Sequence, residues 1–318
     1  MNTPAPLVLS ATPAYMITNG PAQDLKSSRR SISYHTIDIQ GLNIFYREAG
    51  RANAPTVLLL HGFPSSSRMW EPLLPLLADK YHLIAPDYPG FGNSSAPSPS
   101  GFEYTFDNLA RVMDELTTKL GITTYVLFMQ DYGGPVGFRM ALSNPGRVRA
   151  IIVQNAVSHD QGLSSLWDAR RKYWADPVRE LEKLKANFTS FEATRQRHLG
   201  SSPHPDRYNP DTWTDEYAFL ARPEQADIQA TLFLDYRNNV ASYPLWQKWL
   251  REVQPPTLVV WGKYDPSFTV AGATAYANDV PKAEIHILEA GHFALDEATD
   301  EIASLVRDFL ERLEKHGA

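Results

Sequence analysis

Six short apolar or β-branched runs, at 57–60, 82–86, 125–129, 149–153, 257–261 and 284–288, each end near Gly, Pro, Asp or Asn, and helical patterns separate several of them. That alternation constrains this chain more than any other feature. Runs that are apolar at consecutive positions fit strands buried on both faces, and strands joined through helices lie parallel. The expected fold class is α/β, with a twisted, mostly parallel sheet flanked by helices. Ahead of it, residues 31–39 alternate polar with apolar, turn at Gly41 and continue over 42–47, which predicts an antiparallel hairpin. Phe106, Leu109, Met113, Leu116 and Leu120 trace one helical face, closed by Gly121. Ile302, Leu305, Val306, Phe309 and Leu313 trace another, after Thr299 as its expected cap.

Between Val153 and Thr257 the rhythm fails. About a hundred residues carry helical patterns and five of the seven tryptophans, with no convincing core strand. We expect an inserted helical cap over 156–254, lying on the carboxyl edge of the sheet where α/β proteins place ligands, with the core formed by 31–155 and 255–318. The first thirty residues are rich in Pro, Ala, Ser and Thr, without a basic start or a sustained apolar stretch. They are read as a mobile arm over 1–30 rather than a signal peptide.

At 318 residues and 43% hydrophobic, the chain can bury a large core. A formal charge of -6 offers no basic surface for nucleic acid or acidic lipid, and no apolar run reaches the roughly 20 residues of a membrane span. Without cysteine there is neither a disulfide framework nor a thiol nucleophile, which permits the cytosolic location we expect.

The run Tyr125 to Gly134 reads as a buried strand entering a helix through a sharp glycine turn, with Asp131 at the point of the turn. Such an elbow holds its central side chain exposed and strained above a helix N-terminus. A carboxylate there is a weaker nucleophile and a better leaving group than an alkoxide. It suits displacement at saturated carbon, giving an alkyl ester that water must then cleave. His292 follows the last strand and Asp265 the one before, the order nucleophile, acid, histidine. The histidine would deprotonate water and Asp265 would orient it. The amides of Phe63 and Tyr132 are the candidate oxyanion donors, and Phe63-Pro64 is a candidate cis bond. Taken singly, each motif is ordinary: an Asp before Gly-Gly is most often a turn residue, and so is an Asp-Pro after a strand. Four of them ending four strands in this order is the specific signal.

From about Ser31 to Leu313 the chain resembles the α/β-hydrolase superfamily, in the branch with an aspartate nucleophile. The resemblance is carried by His61-Gly62-Phe63-Pro64, by Asp87 to Ser94, by Gln130-Asp131-Tyr132-Gly133-Gly134 and by Gly291-His292-Phe293. That branch holds epoxide hydrolases, haloalkane dehalogenases and fluoroacetate dehalogenases. The resemblance implies that no metal or organic cofactor is needed, and that pocket walls come from His61, Pro64, Trp167, Trp174 and Phe293. An epoxide needs an acid at its oxygen, usually paired cap tyrosines, and Leu234-Asp235-Tyr236-Arg237-Asn238 is similar to the segment that carries one. The second donor is Tyr173 or, with the downstream proline aligned to the family, Arg170; Tyr208, Tyr217 and Tyr243 are lesser candidates.

A dehalogenase fits less well: Tyr132 stands where haloalkane dehalogenases carry a halide-binding tryptophan, and Phe63 where many have asparagine. Tyr132 and Pro135 also replace the arginines by which fluoroacetate dehalogenases hold their substrate. Asn155 occupies the alternative place of the triad acid, so Asp265 is preferred, and Met129 departs from the small residue common two before the nucleophile. The expected activity is an epoxide hydrolase acting as monomer or homodimer on a small hydrophobic substrate. A haloalkane dehalogenase is the alternative, and a non-catalytic ligand-binding protein of the same fold a further one.

Overall fold

The computed structural model describes residues 31–316. The expected arm over 1–30 therefore lies outside the described residues. Eight strands form one sheet: β1 (Ser33–Ile39), β2 (Leu42–Ala49), β3 (Thr56–Leu60), β4 (His82–Pro86), β5 (Tyr125–Gln130), β6 (Val148–Gln154), β7 (Thr257–Gly262) and β8 (Glu284–Leu288). Their order is β1-β2-β4-β3-β5-β6-β7-β8, with β1 and β2 antiparallel and every pair from β4 onward parallel. Consecutive apolar residues in the central strands serve opposite faces. Leu58, Leu60, Leu127, Met129, Ile151 and Val153 enter one core, while Val57, Leu59, Val126, Phe128, Ala150 and Ile152 enter the other.

The helices are α1 (Leu74–Leu77), α2 (Phe106–Lys119), α3 (Gly133–Ser143), α4 (Trp167–Ala175), α5 (Pro177–Phe188), α6 (Phe191–Leu199), α7 (Asp211–Leu220), α8 (Gln225–Val253), α9 (Val270–Asp279) and α10 (Leu295–His316). The Thr105 hydroxyl caps α2 by accepting from the Asn108 amide. α10 is two helices joined across a kink at Ala298, whose backbone angles are non-helical, so its long second part begins beside Thr299 as expected, after a short first turn from Leu295. Thr299 does not cap it: its hydroxyl donates back to the Leu295 carbonyl.

Helices α4 to α8 fill the stretch between β6 and β7, and α8 packs onto α2, α3 and α9 beneath it. Phe138 of α3 stacks on Trp246 of α8, with centroids 5.0 Å apart and planes 10° from parallel. Met129 fits because Gly137 faces it: a Cβ at that position would collide with the methionine sulfur. Among the described residues no helix is long and apolar enough to cross a membrane.

Candidate active site

The elbow forms where β5 meets α3. Asp131 has φ of 45°, in the left-handed region that residues with a Cβ rarely enter, and its carbonyl accepts the Gly134 N–H at 3.0 Å. Gly133 cannot carry a side chain here, since a Cβ would overlap the Leu60 carbonyl of the adjacent strand. Tyr132 is the N-cap of α3, so its amide belongs to the free donors of the helix start. The Phe63 amide donates to the Asp131 Oδ2 at 2.8 Å, and Phe63-Pro64 is cis.

Opposite the carboxylate, the His292 Nδ1 lies 2.6 Å from the Asp265 Oδ2. Asp265 is held from three sides: Oδ1 accepts the amides of Ser267 at 2.7 Å and Phe268 at 3.0 Å, and Oδ2 accepts the Asn155 Nδ2 at 2.9 Å. Asn155 in turn receives the Gly262 amide at 2.9 Å, tying the end of β6 to that of β7. The Gln130 side-chain amide reaches the His292 Nε2 at 3.1 Å, which suits a ring carrying its proton on Nδ1. Burial works against a charged His292, yet the charge and hydrogen bond of Asp265 and the charge of Asp131 outweigh it and raise the imidazole above its usual range. Burial is also the main influence on Asp131, raising its carboxyl, while the His292 charge and the Phe63 amide oppose it.

These groups open onto a cavity of about 320 Å³ between sheet edge and cap, whose walls include Asp131, Asp265, His292, Phe63, Tyr132 and Trp167. Other expected residues lie elsewhere. His61 is fully buried, its Nδ1 3.0 Å from the Gly62 carbonyl oxygen and its ring 4.2 Å from that of Tyr88, and burial pushes it down to about 3, so it is a neutral packing group. Pro64 is not among the lining residues, and Phe293 stacks on His198 at 4.2 Å. Trp174 donates its indole N–H to the Phe233 carbonyl at 2.7 Å, away from the cavity. Tyr173 points its hydroxyl at the Ala230 carbonyl, 3.2 Å away, and does not line the cavity; its neighbour on the same helix, Arg170, does.

Tyr236 is 1% exposed and sits one layer behind the wall, its ring 4.6 Å from Trp167 and 5.8 Å from Tyr132. Its hydroxyl makes no regular hydrogen bond, and burial first, then the neighbouring Tyr243 hydroxyl and the Asp131 charge, keep it protonated well above the usual tyrosine range. Trp167 does line the cavity, but its indole N–H donates to the Ser267 carbonyl at 3.2 Å. Sequence reasoning passed over Arg197, Phe188 and Phe233, all of which line the cavity. Each lies on a cap helix with no motif around it, and only the folding of α5, α6 and α8 over Asp131 brings them together. The arrangement can present a carboxylate to an electrophile, bind a developing oxyanion at the Phe63 amide and polarise a water through His292 and Asp265.

The family model for the alpha/beta hydrolase fold matches residues 55–299. The chain is 41% identical to an uncharacterized hydrolase of Saccharomyces cerevisiae, over 83% of this chain and 92% of that protein. It is 28% identical to haloalkane dehalogenase 2 of Mycobacterium tuberculosis, over 83% of this chain and 90% of the relative. It is 27% identical to epoxide hydrolase 3 of Xenopus tropicalis, over 92% and 81%. By the matched family model, the sheet order and these relatives, the chain belongs to the α/β-hydrolase fold family, in the branch of haloalkane dehalogenases and epoxide hydrolases.

Proposed function

We propose that the protein is an epoxide hydrolase that works through an alkyl ester on Asp131. The Asp131 oxygen attacks a ring carbon, a C–O bond forms, and the ring C–O bond breaks with its electron pair on the departing oxygen. Tyr236 gives that oxygen a proton, which requires the Trp167 and Tyr132 rings in front of it to shift when substrate enters. His292, oriented by Asp265, then takes a proton from water as it adds to the ester carbonyl carbon, the Phe63 and Tyr132 amides meet the oxyanion, and the acyl C–O bond breaks. The remaining water proton, now on the Asp131 carboxyl group, passes to the departing alkoxide, so that the diol leaves and the carboxylate is restored, and the proton on His292 returns to Tyr236. No metal or organic cofactor enters this scheme, and a cytosolic monomer or homodimer would suffice for it.

One observation carries the choice of leaving group. The cap indoles of Trp167 and Trp174, the groups that would hold a halide, already donate to backbone carbonyls, whereas the buried Tyr236 hydroxyl is committed to no backbone carbonyl and has only the Tyr243 hydroxyl beside it. Halide release is the second reading, favoured by the free N–H groups of Arg170 at the cavity. The test is His292→Gln exposed to pooled epoxides and haloalkanes, followed by intact mass. Removing the base should strand the ester. An adduct equal to a whole epoxide supports ring opening, an adduct equal to alkyl minus halide supports dehalogenation, and a protein that gains no mass from a broad pool overturns the covalent scheme.

A further inference from the structure

Two guanidinium groups face the cavity without an ion-pair partner. Arg170 of α4 is 8% exposed, and its Nε and Nη1 meet no acceptor. It lies over the rings of Trp167 at 4.2 Å and Phe188 at 5.0 Å. Arg197 of α6 lies over Phe63 at 4.5 Å and the same Phe188 at 5.2 Å, with one N–H given to the Phe188 carbonyl at 3.2 Å. Among the described residues no carboxylate comes within 4.0 Å of either guanidinium. Arg197 is half-buried, and burial and the neighbouring Arg170 charge push it down to about 10, against the more distant charges of Asp131 and Glu216; an anion bound between the two guanidiniums would oppose that shift. Asp265 is already hydrogen-bonded to His292, Asn155 and two backbone amides, and Asp131 must stay free to attack. Two repelling cations on an aromatic wall, each with spare N–H groups, are complementary to a group that is planar, anionic and rich in acceptors.

We infer that the substrate carries a carboxylate, seated between Arg170 and Arg197 with its apolar body against Phe63, Trp167 and Phe233. The inference rests on the alkyl-ester reading above, and it changes the substrate class from a neutral hydrophobe to an amphiphilic acid. The carboxylate takes no part in the bond changes. It fixes which carbon faces Asp131, as a bidentate anchor does.

The experiment uses matched probes on His292→Gln: 3-phenylglycidate against its carboxamide, and 2-bromo-3-phenylpropanoate against its carboxamide, with the rate of mass gain as readout. The carboxylates are expected to alkylate about 100-fold faster than the amides, the range of a hydrogen-bonded charge pair. Adding Arg197→Gln should bring each pair to within about 3-fold by slowing the acid alone. Equal rates for acid and amide, or an Arg197→Gln that slows both alike, overturn the anion site and leave the nucleophile standing. A lack of adduct from all four probes overturns both readings. Binding of unreactive 3-phenylpropanoate against 3-phenylpropanamide to the unmutated protein reads the same preference without a variant. Equal affinity there also sinks the proposal.

Discussion

At the residue scale the charge on Asp131 is coupled to the protonation of His292. It helps raise the imidazole of His292 above its usual range, after the charge and hydrogen bond of Asp265 and against burial. On the alkyl-ester reading proposed above, esterification would remove that charge and lower the imidazole, leaving Asp265 to hold the ring while it takes a proton from water. Asp131→Asn imitates the uncharged ester. The expected outcome is a His292 titration that moves to lower pH, followed by NMR of the imidazole; an unchanged titration would dismiss the coupling. The proposed triad could be read from the sequence because each member ends a strand within its own short motif. Asn155 was legible only as a residue in the wrong place for an acid, and its hydrogen bond to Asp265 comes from two strands lying side by side. Tyr173 misled because Arg170 stands three positions earlier on the same helix, only about 60° from it around the axis, so both lie near one face. A motif names the turn, but packing decides whether Tyr173 or Arg170 faces inward.

Elements decide how firmly the cap sits over the nucleophile. α3 carries Asp131 at its start and Phe138 further along, and the Phe138 ring, 1% exposed, is stacked on the fully buried Trp246 of α8. Truncating it removes a large apolar ring from between cap and core, and neither helix can collapse into the space. Phe138→Ala should cost roughly 3–5 kcal/mol of unfolding free energy, read by chemical denaturation; a loss under about 1 kcal/mol would mean that the two helices repack. All eight strands were legible because alternation and apolar runs are local signals. The short turn of α10 ahead of the Ala298 kink was not, nor was the role of Thr299, whose hydroxyl donates back to the Leu295 carbonyl instead of capping, while Leu295 packs in the core.

For the whole molecule, the join between cap and sheet includes a buried ion cluster. His198 of α6 sits 2.8 Å from Glu216 of α7 and 2.7 Å from Asp296 of α10, so that one imidazole bridges cap and core. Burial opposes its charge, but the two carboxylates more than reverse that and raise it to about 10. A folded value above the unfolded one, about 6.5, contributes stability that is complete below pH 6.5 and lost as the pH rises through about 10. His198→Gln should therefore cost roughly 3–5 kcal/mol near pH 6 and progressively less toward pH 10, read as melting temperature against pH. A cost independent of pH would make the contact one of packing. The sequence by itself determined the sheet, the inserted helices and the order of Asp131, Asp265 and His292, because those follow from local periodicity and turn chemistry. Only the tertiary structure decided the character of the cavity. Arg170 and Arg197 are separated by two helix boundaries and surrounded by ordinary surface residues, and their charges meet over Phe188 through folding alone.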